Sequence, residues 1–160
     1  MKTLFVLRHG HAASESAGAS DHERELTARG VGEVQRSVSR LLEQSNWPTL
    51  MLSSTALRAR QSAELCLRAF SPQPELQLLD ELYLAPPPSY LAALATRGGE
   101  HAGVMLVGHN PGLEALIYVL TQRSEHLATA SLVEVELSVD SWSDLAEPRG
   151  IGRIVHTFRA

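Results

Sequence analysis

Three short stretches carry the residues that could do chemistry: Arg8-His9-Gly10-His11, Arg58, and His109. An arginine guanidinium keeps its charge at physiological pH and grips phosphate or carboxylate oxygens with forked N–H donors. Two such groups around a histidine define a place for a dianion with a nucleophile beside it. The histidine must be neutral to attack, and neighbouring cations favour that form by lowering its pKa. Two other readings of the first stretch stand beside this one. An Arg-His pair at a strand end can be a solvated corner with no chemistry. His9 and His11 also form an H-x-H pair, whose rings point to one side of an extended chain and could hold a metal. Barrel hydrolases that open with such a pair need about 250 residues, and this chain has 160. No H-x-x-x-H, cysteine pair or H-x-x-E-H follows to complete a zinc set. Neither a metal nor another cofactor is expected.

This chemistry needs elements that bring the three stretches together. Residues 3–7, mostly apolar, and the apolar run 103–108 read as strands buried on both faces, as in an α/β sheet. In open α/β sheets, ligands bind beyond the carboxyl ends of the strands. Arg8 and His9 stand at one such end and His109 at another. Gly10 would let the backbone turn sharply or approach a ligand. Between these strands, Thr27 offers an N-cap. Val31, Val34, Val38, Leu41 and Leu42 follow at helical spacing as far as residues 46–48, with Gly30 and Gly32 weakening the first turn. Residues 12–25 read as a loop. Residues 49–53 form a short strand, and 53–55 cap a helix whose apolar face includes Ala56, Ala59, Ala63 and Cys66. Arg58 falls in its first turn, off that stripe, where a helix N-terminus already favours an anion; Arg60 faces solvent.

Further on, residues 75–79 are a third strand, and Pro86, Pro87 and Pro88 break the chain before a helix over 89–97. Gly98-Gly99 ends that helix. Asn110 and Pro111 suit the N-cap and first residue of another helix, with Leu113, Leu116, Ile117 and Leu120 facing inward. From Leu132 to Val139 the pattern alternates, which predicts a half-exposed antiparallel strand near the sheet edge. A turn over 140–150 leads to a last strand over 151–158. His22, His101, His126 and His156 read as surface or packing residues. The expected fold is a single three-layer α/β/α domain over residues 1–160, with a mixed, mostly parallel sheet of about six strands.

The strings around these residues resemble one family. Arg8-His9-Gly10 follows the N-terminal strand. Residues 53–63, Ser-Ser-Thr-Ala-Leu-Arg-Ala-Arg-Gln-Ser-Ala, match S-S-x-x-x-R-A-x-Q-T-A except that Ser62 replaces threonine. Val107-Gly108-His109-Asn110-Pro111 supplies a second histidine motif, and residues 21–30 match D-x-x-R-x-L-T-x-x-G. Together they resemble the histidine phosphatase (phosphoglycerate-mutase-like) superfamily, and within it the SixA-type phosphohistidine phosphatases. The likeness runs from Leu4 to about Leu120; the last strands match only in type. It implies a phosphoglycerate-mutase-like fold and a covalent mechanism without cofactor, in which His9 takes the phosphoryl group and water hydrolyses the phosphohistidine. Arg8, Arg58 and His109 would meet the phosphoryl oxygens, and Arg24 would reach back toward them. The expected substrate is a phosphorylated protein, such as a phosphotransfer or phosphorelay domain, and the pocket would accept phosphate or sulfate.

Mutases and phosphomonoesterases of the superfamily carry a carboxylic acid after the third strand, a region that here holds Asp80 and Glu81. Residues 80–85, Asp-Glu-Leu-Tyr-Leu-Ala, instead match the SixA-type pattern, where that acid is not clearly present. Two rival expectations follow: a small-molecule phosphomonoesterase or mutase using Glu81 as general acid, and a non-catalytic phosphoprotein-binding module. His11 departs from relatives that often carry Asp, Glu or Lys, and would either touch the phosphate or face solvent.

Composition narrows the classes further. A net charge of −4 without a Lys/Arg run argues against nucleic acid or an anionic membrane as partner. The single cysteine, Cys66, excludes an internal disulfide, suits a reducing compartment and reads as a core residue. The first apolar run is too short for a signal peptide, and nothing approaches the ~20 apolar residues of a membrane span. A cytoplasmic protein is expected.

Overall fold

The computed structural model describes residues 1–16 and 18–160; Ala17, in the loop expected over 12–25, lies outside them. The six strands are β1 (Lys2–Arg8), β2 (Leu50–Ser54), β3 (Glu75–Leu79), β4 (Gly103–Gly108), β5 (Leu132–Leu137) and β6 (Gly152–Phe158). They form one sheet in the order β3-β2-β4-β1-β5-β6. The first four are mutually parallel, while β5 runs antiparallel to both β1 and β6. The helices are α1 (Ala28–Leu42), α2 (Leu57–Ala69), α3 (Pro87–Arg97) and α4 (Gly112–Thr121).

Alternation along the strands feeds two separate cores, because successive side chains leave a strand on opposite faces. Phe5 and Leu7 of β1 join Val34, Val38 and Leu41 of α1 and the alanines and Cys66 of α2. Leu4 and Val6 join Tyr90 and Leu94 of α3 and the apolar face of α4. The result is the three-layer α/β/α sandwich, with α1 and α2 on one side and α3 and α4 on the other. Among the described residues, no helix is long and apolar enough to cross a membrane.

Several boundaries differ from the sequence expectation, each for a local reason. The first helix ends at Leu42, short of residues 46–48. Its start is as expected: the Thr27 hydroxyl accepts from the Gly30 N–H at 3.1 Å. Helix α3 starts at Pro87, two residues early, because prolines in a first turn forfeit only N–H groups that have no helical partner. Helix α4 starts at Gly112; Asn110 does not cap it, because donation from its side-chain NH₂ to Glu114 and the Leu127 carbonyl fixes the amide with Oδ1 accepting from no helix N–H. Ala56 precedes α2 without a side-chain cap, and Ser54 accepts from the Ala56 N–H instead. Strand β5 is buried rather than half-exposed. Strand β6 takes the edge beside it, and Glu134 of β5 is covered where it pairs with His156 at 2.8 Å. The turn over 140–150 contains a short 3-10 helix, Trp142–Asp144, that delivers Trp142 into the core.

The loop after β1 crosses the start of α1 so closely that side chains are excluded. A Cβ on Gly30 would lie 2.1 Å from the His11 carbonyl oxygen, and one on Gly10 would lie 2.6 Å from the Gly30 carbonyl oxygen. Alanine is ordinarily the better helix former by about 1 kcal/mol. Gly30→Ala should nevertheless destabilise the protein by about 1–3 kcal/mol, the usual cost of overpacking. Thermal unfolding checks this, and a raised Tm would contradict the crossing.

Candidate active site

Parallel β1 and β4 are paired in register so that Arg8 lies opposite Gly108. The next residues are His9 and His109, so two histidines leave adjacent strands at the same level. Their ring centroids are 5.2 Å apart, and the His9 N–H donates to the Gly108 carbonyl at 3.2 Å. Arg58, only 3% exposed, arrives from the first turn of α2. Its Nε–H donates to His9 Nε2 at 3.4 Å. Its terminal nitrogens donate to the Asp21 carbonyl at 2.7 Å and the Asp21 carboxylate at 3.0 Å. Arg8 Nη1 donates to the Leu127 carbonyl at 2.9 Å. Arg8, His9, Arg24, Arg58 and His109 thus line one crevice, which Asp21, Leu84 and Asn110 complete.

Hydrogen bonding assigns the His9 proton. Nδ1 lies 2.7 Å from the carbonyl of Gly10, which can only accept, so Nδ1 carries the hydrogen. Nε2, facing the Arg58 Nε–H, is left with its lone pair. Burial lowers the His9 pKa to about 4, and Arg58, Arg8 and Arg24 add to this against the opposing bond to Gly10. Burial likewise lowers His109 to about 3, with His9 and Arg58 contributing. Both imidazoles are therefore neutral at physiological pH. For Arg8, burial presses the pKa down while the Glu114 and Glu33 carboxylates oppose it.

Asp21 is the counter-charge of the crevice. The Tyr83 hydroxyl and Arg24, the latter at 2.9 Å, join Arg58 on its carboxylate. The Tyr83 hydrogen bond first, then Arg24 and Arg58, hold that carboxyl far below the usual carboxylate range. Four buried side-chain N or O atoms lack a hydrogen-bond partner among the described residues, and three of them belong to Arg8, His109 and Asn110. Native interiors rarely leave such groups unpaired except at functional sites.

Some residues expected at the site stand elsewhere. Gly10 does not line the crevice: its N–H donates to Ser62 Oγ at 3.1 Å, and its missing side chain serves the crossing with α1. Glu81 does not line the crevice; its half-exposed carboxylate lies 3.9 Å from Arg97. Asp80 is exposed at the start of the same 3-10 turn. Both face outward because the turn Asp80–Leu82 spends its inward position on Leu82, which is fully buried. The His11 ring is held by Thr27 Oγ1 at 2.8 Å, away from the crevice. Among the described residues, no group of three or more His, Cys, Asp or Glu side chains could hold a metal ion.

Other contributors were not singled out in the sequence. Ser62, the one departure in the 53–63 string, ties the Gly10 N–H to the Arg58 carbonyl, joining the loop after β1 to α2. Ser54 Oγ meets His109 Nε2 at 2.8 Å. Both lie in strings that could have flagged them. Tyr83 packs edge-on against His109 and His22; it lies in the 80–85 string, which was read only for its carboxylates. His22, expected as a surface or packing residue, packs at this wall with Nε2 3.0 Å from Thr55 Oγ1.

Comparison with known proteins agrees with this arrangement. The family model of the histidine phosphatase superfamily (branch 1) matches residues 4–83, half of the chain, and the chain belongs to that superfamily of hydrolases with a histidine nucleophile. An uncharacterized protein of Picosynechococcus sp. is 33% identical over 138 residues, covering 81% of this chain and 82% of its own. An uncharacterized chloroplastic protein of Arabidopsis thaliana is 26% identical, covering 94% of this chain and 73% of its own. Among solved structures, the candidate phosphohistidine phosphatase SixA of Agrobacterium tumefaciens superposes with a TM-score of 0.81 at 28% identity, over 99% of both chains. The protein histidine phosphatase SixA complexed with tungstate gives 0.81 at 25% identity, over 98% of this chain and 96% of that one. The fold is thus the phosphoglycerate-mutase-like one.

Proposed function

We propose that this chain hydrolyses phosphohistidine on a protein, with His9 as nucleophile. The lone pair of His9 Nε2 attacks phosphorus while the bond from phosphorus to the substrate imidazole nitrogen breaks. The departing imidazole takes a proton from water in the open crevice. Water then attacks the phospho-His9 and releases inorganic phosphate, restoring the neutral imidazole. Charge on the phosphoryl oxygens is met by Arg8, Arg58 and His109, with Arg24 at the rim, all already positioned. Arginines fixed in place supply the neutralisation that a metal ion supplies elsewhere.

The observation that carries the choice of substrate is the state of the crevice carboxylate. Asp21, the carboxylate lining the crevice among the described residues, is pinned ionised by Tyr83, Arg24 and Arg58. It has no proton to give. An alkoxide leaving from a phosphomonoester requires such a proton, and general acid help is typically worth about 10²–10⁴-fold. A phosphoramidate nitrogen leaves with far less help. The likeness to SixA proteins supports the same reading. Turnover should be efficient on a phosphohistidine protein, slow on an aryl phosphate whose phenol leaves easily, and poor on phosphoserine and sugar phosphates. A panel assay decides, and efficient hydrolysis of a sugar phosphate would overturn the proposal.

A further inference from the structure

Beside the crevice lies an apolar shelf that neither core explains. Helix α4 buries Leu113, Leu116, Ile117 and Leu120, and an ordinary helix would then carry polar residues outward. Instead Pro111, Ala115 and Tyr118 are exposed at spacings of four and three, a straight apolar row, with Tyr118 46% exposed. Pro111 and Ala115 continue onto Leu84, Pro86 and Pro87 in one uncharged depression, and Tyr118 lies beyond it in an adjoining depression shared with Glu114, Glu125 and His126. Leu84 belongs to the uncharged depression and to the catalytic crevice alike.

Leu84 is itself unusual. Its φ of 48° lies in the left-handed region, which a side chain with a Cβ adopts only at a cost. Burial does not offset that cost, because the residue is 56% exposed. Its neighbours are anchored: Tyr83 on Asp21, and Ala85 in the core. The chain therefore pushes a leucine out at the lip of the crevice, a placement that serves contact with something bound there.

We infer that this shelf docks the helix that carries the phosphohistidine of the protein substrate, through apolar side chains on the same face as the phosphohistidine. The inference rests on the proposed reaction. A phosphohistidine side chain is only a few bonds long, so with its phosphorus at His9 its backbone lies at the lip. Residues one and two turns away must then fall on the surface that flanks the crevice. That surface is Leu84 followed by the row along α4, about 10 Å from Pro111 to Tyr118 at 1.5 Å per residue. The small, exposed side chain of Ala115 leaves room for the ridge of a facing helix.

Two helical peptides test this, each with a single histidine phosphorylated chemically. One carries leucines four and seven residues from that histidine on both sides, the other serines at the same places; free phosphohistidine is the third substrate. The leucine peptide should exceed the serine peptide by about tenfold in kcat/KM, mainly through KM. Ala115→Glu and Tyr118→Ser should each remove most of that advantage and leave turnover of free phosphohistidine unchanged. Equal turnover of the two peptides, or an advantage that survives both substitutions, would overturn the docking inference alone. Failure of the unaltered enzyme to hydrolyse free phosphohistidine and both peptides would overturn the proposed reaction itself.

Discussion

His9→Ala should abolish turnover, by on the order of 10⁴-fold or more, because the nucleophile and the covalent intermediate are lost together. The unaltered enzyme, mixed with labelled substrate, should hold label that survives alkaline quenching and is lost in acid, as a phosphohistidine is. Label that survives acid, or label still formed by His9→Ala, would remove His9 from that role. The pH dependence has a defined sign. With its pKa lowered to about 4, His9 stays neutral through the range where an ordinary imidazole, near 6.5, would take up a proton. NMR titration of the ring should therefore show a midpoint well below 6.5. The unfolded chain binds the proton first, so this group lowers stability progressively as pH falls from about 6.5 to about 4 and has no effect above that window.

Arg58→Lys should lower kcat by on the order of 10²-fold or more, the effect of losing one preorganised donor to transition-state charge. The charge is retained, so the loss would measure geometry. A lysine offers a point charge, whereas Arg58 directs Nε–H at His9 and its terminal nitrogens at Asp21 from a single plane. Vanadate, which mimics five-coordinate phosphorus, should inhibit the unaltered enzyme and bind Arg58→Lys more weakly. Chelators should leave activity intact. Loss of activity in EDTA with recovery in zinc would restore the metal reading of His9 and His11. Near-normal kcat in Arg58→Lys would show that Arg58 is not the group that meets the developing charge.

What the chain determined by itself is whatever depends on neighbours in sequence. Apolar runs ending in Arg8-His9 and Gly108-His109 specify buried strands, and strands buried on both faces belong to an α/β sheet. The first turn of α2 follows from the stripe of Ala56, Ala59, Ala63 and Cys66, and it carries Arg58 to an end where anions are favoured. From these alone the four central residues of the site and the order of its layers were legible. The register of β1 against β4 was not, yet it alone puts His9 and His109 at one level, because strand pairing couples residues 100 positions apart. The counter-charge was equally hidden. Asp21 opens the 21–30 string but drew no role from it, and Glu81 was the carboxylate weighed as an acid, since local pattern cannot say which way a turn faces. Packing settles that: burying Leu82 turns Glu81 toward Arg97, while Tyr83, Arg24 and Arg58 converge on Asp21 from three separate segments. The lip formed by Leu84 and the glycine crossing of the loop after β1 with α1 belong to the same class. Each is decided by contacts between distant segments, which no local run of residues encodes.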